Sequence, residues 1–443
     1  MLNRVRFMTQ SGAEQGGEPT GSPSFHSPSG RSPSGLRRTL GVGDAVVIGL
    51  GAMLGAGIFA ALGPAARVAG SGLLLGLAIA AVVAYCNAMS SARLAARYPA
   101  SGGTYVYGRE RLGDFWGYLA GWCFVIGKTA SCAAMALTVG VYVWPGQAHA
   151  VAVAAVVVVT AVDYGGVQKS ARLTRAIVTV VLAVLASVVV VCLGSDAADA
   201  ERLNVEVPAG AGGALQAAGL LFFAFAGYAR IATLGEEVRD PARTIPRAVP
   251  SALGIALVVY AAVAVAALSV LGTDGLGRSA APLADAVRAA GVPGLVPVVR
   301  AGAAVAALGS LLALLLGVSR TTLAMARDRH LPISLAVVQP RFQVPHRAEL
   351  AVGLMVAVLA ATVDVRGAIG FSSFGVLTYY AVANASAWTL DAARTARIVP
   401  AVGLLGCTTL AFALPGTSVV LGAAVVLMGA GLYGVRVRWA SRQ

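Results

Sequence analysis

Long apolar runs, separated by short segments that carry most of the charged residues, fill the chain from residue 45 onward. A helix of about 20 apolar residues crosses the hydrocarbon core of a bilayer. The pattern therefore predicts an all-α polytopic membrane protein with about twelve transmembrane helices, of which the third and eighth are unusually long. The predicted spans are roughly 45–69, 72–92, 114–144, 148–164, 174–194, 213–235, 248–271, 296–325, 349–365, 367–390, 398–414 and 416–435.

The first span contains a cluster of glycines, because residues 51–59 have the sequence GAMLGAGIF. Glycine costs about 1 kcal/mol relative to alanine in a helix interior. Backbone that leaves the helix at membrane depth requires a cavity or a ligand for its polar groups. One interpretation is a broken helix that forms half of a substrate site. The alternative is close helix packing, since Gly51 and Gly55 also fit a small-residue packing motif.

The sixth span has a comparable feature five spans later, where residues 222–230 have the sequence FFAFAGYAR. Small residues interrupt this span at its middle and polar residues follow. Five spans per repeat give the two units opposite orientations, and interrupted helices at matching positions are typical of inverted-repeat transporters. The second interruption favours the broken-helix interpretation of the first span.

The basic residues indicate the topology. With the N-terminus inside, 24 of the 33 Lys and Arg residues fall in cytoplasmic segments, six fall outside and three lie within spans. The excess predicts that both termini are cytoplasmic. The net charge of +14 is therefore explained by topology, and we expect no nucleic-acid partner. Residues 1–38 are rich in Ser, Pro and Gly and are expected to form a disordered cytoplasmic tail.

Other functional classes find little support in the sequence. The five cysteines lie in apolar runs without a CxxC pair, so we expect neither a metal site nor a disulfide framework. There is no nucleotide-binding loop, and aqueous segments hold no Ser/His/Asp set, so we expect no enzyme and no organic cofactor. A non-transporting scaffold or sensor is a remote alternative, because the loops are too short for a soluble signalling domain.

Three motifs together resemble the amino acid–polyamine–organocation superfamily, close to bacterial amino acid permeases and cationic amino acid transporter-like proteins. They are the Gly51–Phe59 stretch, Arg97–Tyr107 after the second span, and Phe222–Thr233 followed by Glu236–Pro241. The resemblance extends from Leu40 to about Leu390. It implies a five-plus-five inverted-repeat fold, with discontinuous first and sixth helices and two peripheral helices, and amino acid transport by alternating access.

On this basis we divide the chain into a tail at 1–38, a transporter core at 39–390 and a C-terminal segment at 391–443. The core comprises two repeats, roughly 45–194 and 213–390. The C-terminal segment holds helices 11 and 12 and a short cytoplasmic C-terminus. The resemblance and the composition together predict a bacterial plasma membrane protein; the oligomeric state stays open.

The expected substrate site joins the two interrupted helices. A helix N-terminus near Gly55 suits a carboxylate, since it carries unpaired N–H groups and partial positive charge. Free carbonyls would hold the ammonium group, and aromatic residues of the sixth helix would occlude the substrate. The predicted substrate contacts are Met53, Leu54, Gly55, Ala56, Gly57, Ile58, Phe223, Phe225, Ala226, Gly227 and Tyr228.

Lys128 lies in the middle of the third span, where an ionisable residue is costly and indicates function. Many proteins of the resembled family carry a lysine in the fifth helix, at a position that is Val181 here. Lys128 is therefore the candidate for proton coupling; the alternatives are a lysine that extends to the membrane interface or a fixed positive charge. Those proteins also usually have an acid at the position of Ala229, and its absence favours neutral or anionic substrates.

Glu236 and Glu237, with Arg97 as one possible partner, are the candidates for an inward gate; the alternative is a solvated helix end. The sequence thus predicts a secondary active amino acid transporter, with proton symport as the preferred mode. An exchanger or a polyamine transporter is the alternative, although a polyamine site needs carboxylates that the spans largely lack. Protons are the expected coupling ion, and sodium stays open as the alternative.

Overall fold

The computed structural model describes residues 40–98, 102–165, 171–204, 210–234, 237–339, 344–390 and 393–440. The predicted tail lies outside these ranges. The described residues form helices and no strand, which confirms the all-α prediction. The helices are α1 (Val42–Met53), α2 (Ala56–Ala60), α3 (Leu62–Ala69), α4 (Leu73–Arg97), α5 (Thr104–Leu112), α6 (Asp114–Val143), α7 (Ala148–Tyr164), α8 (Ala171–Leu193), α9 (Gly210–Phe225), α10 (Ala229–Ala232), α11 (Pro241–Arg278), α12 (Pro282–Ala289), α13 (Val296–Arg327), α14 (His346–Thr362), α15 (Val365–Trp388), α16 (Arg394–Ala413) and α17 (Gly416–Ala440).

Ten helical segments of the described chain are long and apolar enough to cross a membrane. Two further helices occupy the predicted ninth and tenth spans. One is α14, with 17 residues. The other is α15, whose 24 residues include buried Ser372, Ser373 and Asn384, which make it less apolar. Together these segments account for the predicted set of spans in a polytopic membrane protein.

The first span is broken within the predicted glycine stretch. Helix α1 ends at Met53, and Leu54 and Gly55 then leave helical geometry, with ψ of 45° and −147°. Helix α2 begins at Ala56, and only Ala61, which keeps right-handed helical angles, separates it from α3. Three glycines within seven residues lower the cost of this interruption, because glycine adopts non-helical angles readily.

The sixth span changes its geometry less. Between α9 and α10 the residues Ala226–Tyr228 form one turn of 3-10 helix, and Phe225, Tyr228 and Ala229 keep right-handed helical angles. A 3-10 turn forms i→i+3 hydrogen bonds and so disturbs the regular carbonyl pattern. The span is therefore interrupted at the predicted residues by a tightened turn.

The first and sixth spans run antiparallel, and their interrupted segments pack against each other. Helix α1, before the break in the first span, packs on α10, and α2, after that break, packs on α9. A Cβ atom added to Gly227 would lie 2.3 Å from the Ala52 carbonyl oxygen, and one added to Gly57 would lie 2.5 Å from the Ala224 Cα. Only glycine allows this approach, which brings the two predicted half-sites together.

Helix α6 lies at the centre of the bundle, where it packs on α13 and α15. The long third and eighth spans are confirmed, because α6 has 30 residues and α13 has 32. In contrast, α16 and α17 lie at the periphery, because only 28% and 17% of the residues in their apolar stretches are buried. The site is built by α1, α5, α6, α9, α10, α11, α13 and α15, and no described residue of α16 or α17 lines it.

Candidate functional site

The carbonyl groups freed at the two interruptions are bound by hydroxyl groups from neighbouring helices. Tyr260 of α11 is fully buried, and its hydroxyl lies 2.6 Å from the Met53 carbonyl oxygen and 3.0 Å from that of Ala224. Ser310 of α13 donates to the Gly51 carbonyl at 3.3 Å. These contacts hold both interruptions in fixed positions. They join residues far apart in the chain, so no local pattern indicates the role of Tyr260.

Replacing Tyr260 with phenylalanine should destabilise the protein without removing its apolar packing. The hydroxyl carries one proton, and the Met53 oxygen also accepts from the Gly55 amide, so the variant loses one buried hydrogen bond, which is worth about 0.5–1.5 kcal/mol. We expect a lower melting temperature in detergent for Tyr260→Phe. The matched control is Tyr85→Phe, because the Tyr85 side chain is 46% exposed. Equal melting temperatures for the two variants would contradict the assigned role.

Lys128 reaches the interruption of the sixth span. Its side chain is buried, and its Nζ donates to the Ala226 carbonyl oxygen at 3.3 Å. The Tyr380 hydroxyl lies 3.5 Å from the same oxygen. In the described part of the chain, no carboxylate lies within 4.0 Å of the Lys128 amine. A buried cation without an acidic partner is costly, and an anionic ligand would relieve that cost.

Beside Lys128 lies a cavity of about 240 Å³ between the sixth span, α6 and α13. It extends from Met135 and Ser310 toward the predicted cytoplasmic end of the bundle. Its apolar wall includes Phe124 and Phe223. The lining residues are Ala52, Gly102, Gly103, Tyr105, Phe124, Lys128, Ser131, Met135, Phe223, Ala226, Gly227, Ala229, Arg230, Thr233, Glu237, Ser310, Ala313, Leu314, Gly317, Arg320, Thr321, Ala324 and Tyr379.

The charges that line the cavity are mostly positive. Lys128, Arg230 and Arg320 are its described cations, and Glu237 is its described acid. Arg230 is attracted to Glu237 and repelled by Arg320. Ala229 also faces the cavity, so the small residue at this position leaves the wall without a second carboxylate. The field in the cavity therefore favours anionic groups and disfavours polycations.

The predicted substrate residues divide into two groups in this conformation. Phe223, Ala226 and Gly227 line the cavity, as does Ala52, which the prediction did not include. The remaining predicted residues are buried beside the cavity without lining it, and Ser310 and Ala224 cover two of the first-span glycines. This second group comprises Met53, Leu54, Gly55, Ala56, Gly57, Ile58, Phe225 and Tyr228.

The predicted gate residues lie apart from one another. Glu236 lies outside the described residues. Glu237 lines the cavity, and Arg97 is exposed at the end of α4. Neither Glu237 nor Arg97 forms an ion pair within 4.0 Å in the part of the chain that the structure describes. The pairing between them that the sequence suggested is thus absent in this conformation.

A different polar cluster lies at the mouth of the cavity. Arg109 pairs with Asp328 at 2.9 Å, and the Tyr105 hydroxyl donates to the same carboxylate at 2.5 Å. The His330 Nδ1 atom lies 2.8 Å from this hydroxyl, whose single proton is already donated. We therefore assign Nδ1 as the protonated ring nitrogen. The cluster fastens α5 to the end of α13 beside the cavity.

His330 should make stability depend on pH in mildly acidic solution. Burial, followed by the Arg436 charge, holds the pKa of His330 below its ordinary value of 6.5, although Asp328 opposes the effect. The stabilising contribution of the neutral ring is thus complete above pH 6.5 and is lost as pH falls through the lowered pKa. Melting temperature should decline in this range for the wild type and decline less for His330→Gln. The same decline in both proteins would exclude His330 as the cause.

The chain is similar to known proteins over nearly its whole length. The family model described as "Amino acid permease" matches residues 44–438. An uncharacterized transporter of Mycobacterium tuberculosis (strain ATCC 25618 / H37Rv) is 75% identical over 403 residues, which cover 90% of this chain and 92% of the relative. The branched-chain amino acid permease BcaP of Bacillus subtilis (strain 168) is 25% identical over 432 residues, with coverage of 90% and 92%. Cationic amino acid transporter 7 of Arabidopsis thaliana, a chloroplastic protein, is 29% identical over 381 residues, with coverage of 79% and 65%.

Proposed function

We propose that this chain, which belongs to the amino acid permease family and is a transporter, moves α-amino acids across the membrane by alternating access. The observation that carries the proposal is the contact of Lys128 Nζ with the Ala226 carbonyl at 3.3 Å, beside the cavity where the interrupted spans meet. This contact pairs a cationic donor with a backbone acceptor. An α-amino acid carries the complementary pair of groups, a carboxylate and an ammonium.

Substrate binding exchanges one hydrogen bond for two. The substrate carboxylate replaces Ala226 as the partner of Lys128, and the substrate ammonium takes the released carbonyl oxygen. Both new bonds involve charged groups, which form stronger hydrogen bonds than neutral pairs. The arrangement recognises the part that all α-amino acids share. Closure of α2 against this position would add its N-terminal amides to the carboxylate site.

The side chain of the substrate occupies the remaining cavity. Phe124, Phe223 and Met135 provide apolar contacts, while Arg230 and Arg320 disfavour cationic side chains. The same charges disfavour polyamines, which carry several ammonium groups and need acidic partners. The cavity chemistry therefore supports neutral and anionic amino acids over the polyamine alternative.

Transport is proposed to be symport with protons, in a bacterial plasma membrane and with both protein termini inside the cell. Uptake of an equimolar mixture of labelled standard amino acids into proteoliposomes tests this mode. An inward pH gradient should increase uptake into vesicles that contain no amino acid. Uptake that ignores the gradient and requires unlabelled amino acids inside would replace symport with exchange. No uptake under either condition would overturn amino acid transport itself. A sodium gradient in place of the pH gradient tests the other coupling ion.

A further inference from the structure

Two buried carboxyl groups outside the cavity lie on helices α7 and α14. The Asp163 side chain is 2% exposed and that of Glu349 is fully buried. None of their four oxygen atoms has a hydrogen-bond partner among the described residues. A buried ionised carboxylate without a donor or a cation is strongly disfavoured. These two side chains therefore need an explanation that ordinary packing does not provide.

The packing of α7 on α14 brings the two carboxyl groups to the same level. The helices run antiparallel, with the His149 Nδ1 atom 2.8 Å from the Ala360 carbonyl oxygen near one end. Closer to the other end, a Cβ atom on Gly353 would lie 2.7 Å from the Thr160 Oγ1 atom. The rings of Tyr164 and His346 follow, with their centroids 6.4 Å apart. This register places Asp163 opposite Glu349, between the Thr160 level and the Tyr164 level.

Several ionisable groups on the adjoining helices face this pair. Arg320 lies on α13, which packs on both α7 and α14, and its charge is opposite to that of an ionised carboxylate. Cys132 is a buried thiol on α6, a helix that packs on both α7 and α14. His346 and Tyr164 lie one turn or less away along α14 and α7. Within the described ranges, Arg320 makes no ion pair to either acid within 4.0 Å.

We propose that Asp163 and Glu349 form a proton-binding site that controls the charge of the substrate cavity through Arg320. At least one of the two carboxyl groups holds a proton, because two adjacent carboxylates without donors cannot both remain ionised in a buried site. Arg320 connects this pair with the cavity, since it lines the cavity wall and lies on α13, which packs on the two helices that carry the acids. The pair and the cavity are thus two distinct sites with one shared cation.

Proton binding by the acid pair is coupled to substrate binding in the cavity because Arg320 can interact with either site. With the pair protonated, the Arg320 charge is available to the cavity and attracts the substrate carboxylate. When the proton leaves, the new carboxylate attracts Arg320 and weakens the positive field in the cavity. By reciprocity, a bound anionic group favours proton binding by the same factor. This role rests on the proposed transport function, whereas proton binding itself is measurable without any substrate.

The first experiment uses no amino acid and follows the melting temperature of the purified protein between pH 5 and pH 9. Where the folded pair still holds a proton that the unfolded chain has released, stability should fall as pH rises, and it should level off once the pair is ionised. The double variant Asp163→Asn, Glu349→Gln should lose this decline, and Asp274→Asn, whose carboxylate is exposed, should keep it. An unchanged decline in the double variant would overturn the proton site. A melting temperature that responds to sodium at fixed pH, and loses that response in the double variant, would replace the proton with a metal cation.

A measurement on the wild type guards against a double variant that fails to fold. The infrared spectrum of the reconstituted protein at pH 7 should contain a protonated carboxyl band from a site shielded from water, and this band should disappear as pH rises. A spectrum without that band at pH 7 would contradict the proposal.

The second experiment measures transport of the labelled amino acid mixture in proteoliposomes. The single variants Asp163→Asn and Glu349→Gln should each lose the stimulation of uptake by an inward pH gradient. The expected loss of stimulation is about tenfold, a factor within the usual range for coupling between two sites. Exchange against internal amino acids should persist. Stimulation at the wild-type level in both variants would reject the coupling role. Absence of uptake by the wild type would reject the proposed transport function, and the melting and infrared results would still decide the proton site.

Discussion

Alanine in place of Gly227 should abolish amino acid uptake and destabilise the protein. The added Cβ atom would lie 2.3 Å from the Ala52 carbonyl oxygen and 2.7 Å from the Met53 amide nitrogen. Both are backbone atoms of the first span, so the two interrupted spans must move apart. Overpacking of this kind costs about 1–3 kcal/mol. The displacement also separates Ala52 from the cavity, and uptake in proteoliposomes should fall to background.

The matched control is Gly254→Ala in α11. Gly254 is exposed, and its added Cβ atom would meet no other atom within 4 Å. Because alanine favours the helix by roughly 1 kcal/mol relative to glycine, this variant should be at least as stable as the wild type and transport normally. Normal uptake by Gly227→Ala would show that the contact between the interruptions is dispensable.

Methionine in place of Lys128 should weaken substrate binding and leave the fold intact. Methionine keeps most of the apolar length and removes the amine that contacts Ala226. Loss of a hydrogen bond to a charged group costs about 1.5–3 kcal/mol, which corresponds to a rise in KM of roughly 10-fold to 100-fold. Stability should stay equal or increase, because the substitution removes a buried cation that has no acidic partner among the described residues.

The opposite changes in stability and affinity separate this prediction from simple misfolding. Melting temperature and uptake are measured on the same preparation of Lys128→Met. Uptake with the wild-type KM would exclude Lys128 from substrate recognition. Reduced uptake together with a lower melting temperature would instead assign it a structural role.

The glycine stretch, taken together with the interruption five spans later, predicted the broken first span. Glycine spacing affects the backbone directly, and the break at Leu54–Gly55 falls inside the predicted stretch. The interruption of the sixth span was predicted at the correct residues, although it is a 3-10 turn at Ala226–Tyr228. Alanine and tyrosine keep helical angles more readily than glycine does, so this span tightens where the first span opens.

Contacts between distant helices could not be predicted from the sequence pattern. The Tyr260 hydroxyl contacts carbonyl oxygens of two other spans, and nothing in the residues around Tyr260 indicates these partners. Asp163 and Glu349 could have been identified from the sequence, because Asp163 falls inside the predicted fourth span and Glu349 inside the predicted ninth span. An ionisable residue within a span is a functional candidate by default, and the same rule that identified Lys128 would have found them.

Side-chain directions decided which predicted site residues face the cavity. The prediction treated residues 53–58 as one binding segment, but packing by Ser310 and Ala224 covers two of its glycines in this conformation. Which backbone groups are open depends on how closely the neighbouring helices approach, and spacing along one helix does not determine that distance.

Protection of an introduced cysteine by amino acids tests most directly whether the substrate occupies this cavity. Ala313 lines the cavity, whereas the five native cysteines are buried and absent from its lining. The standard amino acid mixture should slow labelling of Ala313→Cys by a thiol reagent several-fold, and it should not affect Ser251→Cys, whose residue is exposed on α11. Unchanged labelling of Ala313→Cys, in a variant that still transports amino acids, would contradict substrate binding in the cavity between the interrupted spans.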